Sequence, residues 1–184
     1  MTPDLAADPV LGHAAAAALA IVLLAGAWHK FADLDSFGVA VERYRLLNPI
    51  AARATALCLP PLEALAGLSL LHPATRAAGA ALAAAIVLVV TAAIVANLLR
   101  GRRDIDCGCA APGSAQRLSW ILVARNAALL GLCALAAAPM SLRELVWLDG
   151  FTTAFAALAL WAVYGAINEL FSDPQRFNAS RTEP

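Results

Sequence analysis

The chain has 184 residues, of which 61% are apolar and only 14% charged. Soluble domains sit near about 45–50% apolar and about 25% charged, and a soluble fold of this length cannot hide so much apolar surface behind so few charges. Thirteen basic and thirteen acidic residues cancel, which removes the electrostatic case for a nucleic-acid binder, and disorder is excluded by the same hydrophobicity. The composition therefore predicts an integral membrane protein.

Five apolar runs approach the roughly 20 residues that a helical crossing needs: about 11–28, 50–71, 74–99, 118–138 and 147–171. They are continuous and do not alternate, so a β-barrel is excluded. The prediction is an all-α, polytopic membrane bundle in one domain over residues 11–171, with tails at 1–10 and 172–184. Ala25-Gly26-Ala27 resembles a signal-peptidase site, yet residues 1–10 carry Asp4 and Asp8 and no Lys or Arg. A retained first helix is the expectation. Alanine makes up a quarter of the chain, and small residues let helix backbones approach closely in a tight bundle.

Between the first two runs, Leu34, Phe37, Val41 and Tyr44 recur at helical spacing behind Asp33, an N-cap residue type. This predicts a short amphipathic helix at the membrane surface, serving as a connector or a docking element.

Lysine and arginine placement orients the bundle. With five spans, one face holds Arg76 and Arg143. The other holds Lys30, Arg43, Arg45, Arg53, Arg100, Arg102, Arg103, Arg117, Arg176 and Arg181. The ratio of ten to two predicts an outside N-terminus and a cytoplasmic C-terminus.

Four cysteines carry the chemistry: Cys58, Cys107, Cys109 and Cys133. Cys107 and Cys109 flank Gly108 in a loop, a spacing that closes a disulfide only through a very small ring, which glycine tolerates best. A strained disulfide is easily reduced, so the pair reads as redox-active. Arg100, Arg102 and Arg103 favour the thiolate, whereas Asp104 and Asp106 oppose it. A structural turn is the bland alternative. Zinc is the weakest one, because two thiols and two aspartates make a poor ligand set, and no metal is assigned. Cys58 and Cys133 fall inside helices, roughly 12 Å and 22 Å from the same end. They suit a thiol relay or plain packing.

Three polar features interrupt the spans. Glu63 lies near the bilayer middle, where a carboxylate must be protonated, paired or beside a wet cavity. Pro60 and Pro61 just before it remove backbone donors and are expected to break the helix. Together they suggest a proton-handling site, the alternative being a kinked helix whose acid bonds a neighbour. Arg125 and Asn126 lie a third of the way into the fourth run, and Arg125 is expected to snorkel or to pair with Glu63. Asn97, near the end of the third run, is a candidate hydrogen-bond partner for another span.

The block Asp104-Ile105-Asp106-Cys107-Gly108-Cys109, with Leu118-Ser119-Trp120 and Arg125-Asn126 after it, resembles the MauE family of methylamine-utilisation membrane proteins. Pro60-Pro61-Leu62-Glu63 resembles both that family and the wider DoxX-like group. Trp28-His29-Lys30-Phe31 and Tyr44-Arg45-Leu46-Leu47 agree, so the likeness runs over about residues 20–135. Family members often carry Phe-Gly after the second cysteine, where this chain has Ala110-Ala111-Pro112-Gly113. The resemblance implies a DoxX-like four-helix core in the bacterial inner membrane. It also implies a redox role in maturing an exported, disulfide-rich amine dehydrogenase β-subunit, with a thioredoxin-like partner. No cofactor is certain, a quinone being one candidate. The charge count puts Cys107 and Cys109 opposite that exported substrate. Either reducing equivalents pass outward, by the other thiols or a quinone, or the count fails and the pair is periplasmic. A non-catalytic scaffold or assembly factor is the alternative function, and a small-molecule transporter a distant third.

Overall fold

The computed structural model describes residues 8–103, 105, 107, 117–141 and 146–171. Six helices follow in order: α1 (Pro9–Ala32), α2 (Leu34–Arg43), α3 (Pro49–Leu70), α4 (Arg76–Leu99), α5 (Trp120–Ala137) and α6 (Trp147–Phe171). No strand occurs among the described residues, so the fold is the expected all-α bundle.

Helix boundaries follow from local chemistry. Asp8 caps α1 by accepting from the Val10 amide at 2.8 Å, with Pro9 at the first helical position. Asn48 and Pro49 repeat the device on α3, where the Asn48 side chain accepts from the Ala51 amide at 2.8 Å. Both exploit the unsatisfied amides of a first turn and a ring already set to helical φ. Asp33 accepts from the Ser36 amide at 3.0 Å, so it caps α2 as its residue type indicated. At the far end of α4, Gly101 takes φ +74°. Its amide bonds the Leu98 carbonyl, while the Arg102 amide bonds that of Asn97. This is the Schellman arrangement, which a Cβ at Gly101 would strain.

Four helices, α1, α4, α5 and α6, are long and apolar enough to cross a membrane. The fifth expected span, α3, falls short because Arg53, Pro60, Pro61 and Glu63 dilute its leucines. Its 22 residues nonetheless run antiparallel to α1. Its exposed side is apolar, carrying Leu57, Leu62, Leu65 and Leu68. Pro60 and Pro61 do not break it: α3 is continuous through both. The missing donors leave the Ala56 and Leu57 carbonyls without their intrahelical bonds, while packing against α1 and α4 holds the helix together.

The centre is α1, which packs on α3, α5 and α6, while α4 bridges α3 and α5. Its buried residues are mostly alanine, and close approach follows. A Cβ at Gly67 would stand 2.9 Å from Leu24 Cγ, and one at Gly79 would stand 2.9 Å from the Leu70 backbone nitrogen. Small residues at these crossings bring α3 against α1 and α4, as tight membrane packing requires. One apolar cluster, including Leu19, Leu23, Ile86 and Cys133, fills this middle. A second, with Tyr44, Ile94, Leu98, Ile105, Cys107 and Leu122, closes the end that carries α2.

Candidate functional site

The buried stripe of α1 runs Ala16, Leu19, Leu23, Ala27, Lys30, so a lysine ends a line of core residues. Lys30 is 6% exposed. It reaches α3, where its Nζ donates to both Glu63 oxygens, at 2.8 Å and 2.7 Å. The pairing expected inside the spans is thereby corrected: Lys30, not Arg125, meets Glu63. α1 lies directly against α3, and a lysine stem is long enough to turn its head inward. Gly26, one turn before Lys30, borders the pair; a Cβ there would lie at ordinary contact distance, 3.6 Å from Nζ and 3.8 Å from Glu63 Oε2. The Phe37 ring of α2 faces the ammonium, its centroid 5.5 Å from Nζ, a cation–π distance.

This ion pair forms part of the wall of a cavity of about 370 Å³ bordered by α2, α3, α4 and Cys107. Tyr44 and Cys107 line it too, and the rest of the lining is almost wholly apolar. Tyr44 donates from its hydroxyl to the Cys107 carbonyl at 3.4 Å, and Cys107 itself is buried. The structure thus brings Cys107 and Glu63, far apart in sequence, to one cavity. Gly108 and Cys109 lie outside the described residues, as do Asp104 and Asp106.

α2 is the cavity's cover. Phe37 and Ala40 are its buried residues, and Tyr44 is buried just past its end; Phe37 and Tyr44 were among the residues that the helical spacing selected. Arg102 holds the end of α2 down by donating to the Arg43 carbonyl at 2.8 Å, the Tyr44 carbonyl at 3.0 Å and Asn97 Oδ1 at 3.0 Å. Cations suit exposed C-terminal carbonyls. Asn97 donates within its own helix, to the Ala93 carbonyl at 3.1 Å. It therefore serves this clamp instead of bonding a neighbouring span. Arg45, just past α2, adopts φ 48°, the left-handed stop that usually falls to glycine.

Arg125 and Asn126 form a separate cluster. Arg125 donates to Asn126 Oδ1 from Nε at 3.3 Å and from a terminal nitrogen at 3.2 Å. Its guanidinium lies over the Tyr164 ring of α6, 5.3 Å from the centroid. Asn126 in turn donates to Thr91 Oγ1 on α4 at 2.9 Å. Both residues are buried, so Arg125 does not snorkel to the surface.

The other cysteines do not converge. Cys58 is exposed on the outer side of α3, whereas Cys133 is buried in the central apolar cluster, where a thiol packs as a small apolar group. Pro60 is buried and Pro61 exposed on the same helix. Sequence reasoning did not single out Lys30 or Tyr44 as site residues. The signal for Lys30 was its place on the stripe Leu19, Leu23, Ala27 at heptad-like spacing.

The bundle, its apolar outer faces and its buried charges define a multi-pass helical membrane protein with a polar-edged cavity near one end. No solved structure matches the chain. The family model described as "Methylamine utilisation protein MauE" matches residues 8–139, a stretch that includes α1 to α5 and every residue of the cavity. The chain belongs to the MauE family. It is 37% identical over 147 residues to a methylamine utilization protein MauE of Paracoccus denitrificans, covering 77% of this chain and 79% of that one. It is 33% identical over 169 residues to the MauE of Methylophilus methylotrophus, covering 91% and 89%. With the MauE of Methylorubrum extorquens it shares 37% over 129 residues, or 70% and 69%.

Proposed function

We propose that this protein is a thiol–disulfide redox protein of the bacterial inner membrane that serves methylamine utilisation. In this reading it supports disulfide formation or maturation of an exported enzyme subunit, with a thioredoxin-like protein as partner. Cys107 and Cys109 are the exchanging pair, and the Lys30–Glu63 pair handles protons. One observation carries the proposal: Cys107 lines the same cavity as a buried ion pair and a tyrosine hydroxyl. Thiol exchange proceeds through the thiolate, so a cysteine that changes charge needs an ionisable neighbour within a shared, largely dry space.

The proposed orientation keeps the N-terminus outside and the C-terminus cytoplasmic. With Lys30 buried against Glu63, the loop count becomes nine (Arg43, Arg45, Arg53, Arg100, Arg102, Arg103, Arg117, Arg176, Arg181) against two (Arg76, Arg143). The asymmetry survives. It sets the cysteine pair at the cytoplasmic end, from which reducing equivalents are passed outward. Labelling of Cys107 by an impermeant thiol reagent in intact spheroplasts would overturn this orientation and leave the exchange chemistry standing.

The central test is Cys107→Ser with Cys109→Ser in cells that depend on this protein for amine dehydrogenase maturation. The expected result is loss of active, correctly bridged subunit while the membrane protein stays at its normal level. Full retention would remove the redox role and leave a non-catalytic assembly factor.

A further inference from the structure

The end of the bundle that carries α2 gathers cations from two separate parts of the chain. Arg43 and Arg45 stand at the end of α2, and Arg100, Arg102 and Arg103 follow α4. The Arg102 guanidinium joins the two ends by donating to the Arg43 and Tyr44 carbonyls. The other four arginines are exposed, and among the described residues none has a side-chain hydrogen bond or ion pair. Segments 42–48 and 99–106 carry the five arginines against three acids, Glu42, Asp104 and Asp106. Like charges gathered on two joined chain ends repel one another, and an anion placed among them removes that cost.

Apolar surface adjoins the same arginines. Leu99, next to Arg100, is 74% exposed, and Ile50, shortly after Arg45, is 84% exposed. Leu88, Ala92 and Leu99 are all exposed and share one face of α4 by helical spacing. This apolar stripe ends where the arginines begin. We infer that this corner binds an anionic glycerophospholipid of the surrounding bilayer, its phosphate against the exposed arginines and an acyl chain along the α4 stripe. The planar fork of arginine matches phosphate oxygens in pairs. A water-borne phosphate compound meets the cations but leaves the stripe uncovered. A zwitterionic lipid covers the stripe but brings a further cation among the arginines. The bound lipid bridges α2 to α4 beside the Arg102 clamp, and so steadies the helix that covers the cavity. None of this depends on thiol exchange.

The test uses the full-length protein in detergent, titrated with dioleoylphosphatidylglycerol or dioleoylphosphatidylcholine while native mass spectrometry reads the first lipid bound. The expected result is a preference of about tenfold or more for the anionic lipid. Arg43→Gln with Arg103→Gln should weaken its binding by about fivefold for each arginine removed. Arg43→Lys with Arg103→Lys keeps both charges and should keep most of the preference. Phosphatidylglycerol, and not phosphatidylcholine, should slow deuterium exchange of the backbone amides at 41–47 and 98–103. Equal affinity for the two lipids, an unchanged preference in the glutamine pair, or an equal loss in the lysine pair overturns the site. Displacement of the anionic lipid by millimolar inorganic phosphate gives the arginines to a free anion, and overturns the lipid site as well.

Discussion

Two buried cations, Lys30 and Arg125, make different contacts among the described residues. Lys30 meets a carboxylate from another helix, and the pair edges a cavity. Arg125 leans on its sequence neighbour Asn126, on Thr91 through that asparagine, and on the face of Tyr164. The first arrangement joins opposite full charges across two hydrogen bonds, so the loss of one leaves the other uncompensated. Among its described contacts the second sets one permanent charge against an amide and an aromatic face, and arginine does not give up its proton. In the proposed function the Lys30–Glu63 region is where charge changes. The Arg125 region is built to stay as it is, tying α4, α5 and α6 together.

The largest expected effect comes from breaking the first region on one side. Glu63→Gln leaves a buried ammonium without its carboxylate, a loss of roughly 3–5 kcal/mol for buried pairs. It should show as a marked fall in the thermal unfolding midpoint in detergent. The double change Lys30→Met with Glu63→Leu should recover most of that fall, because no uncompensated charge remains. If the double variant keeps its stability but loses redox activity, the pair serves chemistry more than folding. Equal damage by single and double variants would show that the two charges are not coupled.

A smaller effect is expected in the second region. Tyr164→Leu removes the aromatic face under Arg125, worth about 0.5–2 kcal/mol, and should lower the unfolding midpoint modestly. Redox exchange at Cys107 should change little, since Tyr164 does not line the cavity. A loss of exchange equal to that of the Glu63 variants would erase the functional distinction between the regions.

The smallest effect concerns the cavity's cover. The hydrogen bonds of Ser36, side chain first and backbone second, hold the Asp33 carboxyl below its ordinary pKa of 3.8. A depressed carboxyl adds stability above its unfolded pKa and loses it as pH falls through the lower folded value. The α2 amides should therefore exchange faster with solvent deuterium only when the pH drops below about 4, with no change near neutrality. In Asp33→Ala this acid-specific step should vanish.

Much of this architecture was legible without coordinates. Continuous apolar runs located the long helices, since hydrocarbon lets a backbone cross only when its own hydrogen bonds are made. Spacing and a capping aspartate located α2. The exceptions have definite causes. Pro60 and Pro61 were expected to interrupt α3, yet close packing along Ala56, Pro60, Glu63 and Gly67, all buried, keeps the helix continuous through two missing donors. Lys30 was counted among loop charges because it follows an apolar run. α1 in fact continues to Ala32, which carries the lysine inward.

Hydropathy and residue type by themselves determined that this chain is a helical membrane bundle, and which side chains are candidates to act: Cys107, Cys109, Glu63 and Arg125. They act through local rules of helix length, capping and charge cost, which each segment obeys alone. Which acid meets which base was decided only in the tertiary structure, because pairing depends on which helices touch. α1 lies on α3, so Glu63 receives Lys30, and α2 folds over both to enclose them with Cys107. No periodicity in one segment encodes the neighbour that another segment will supply.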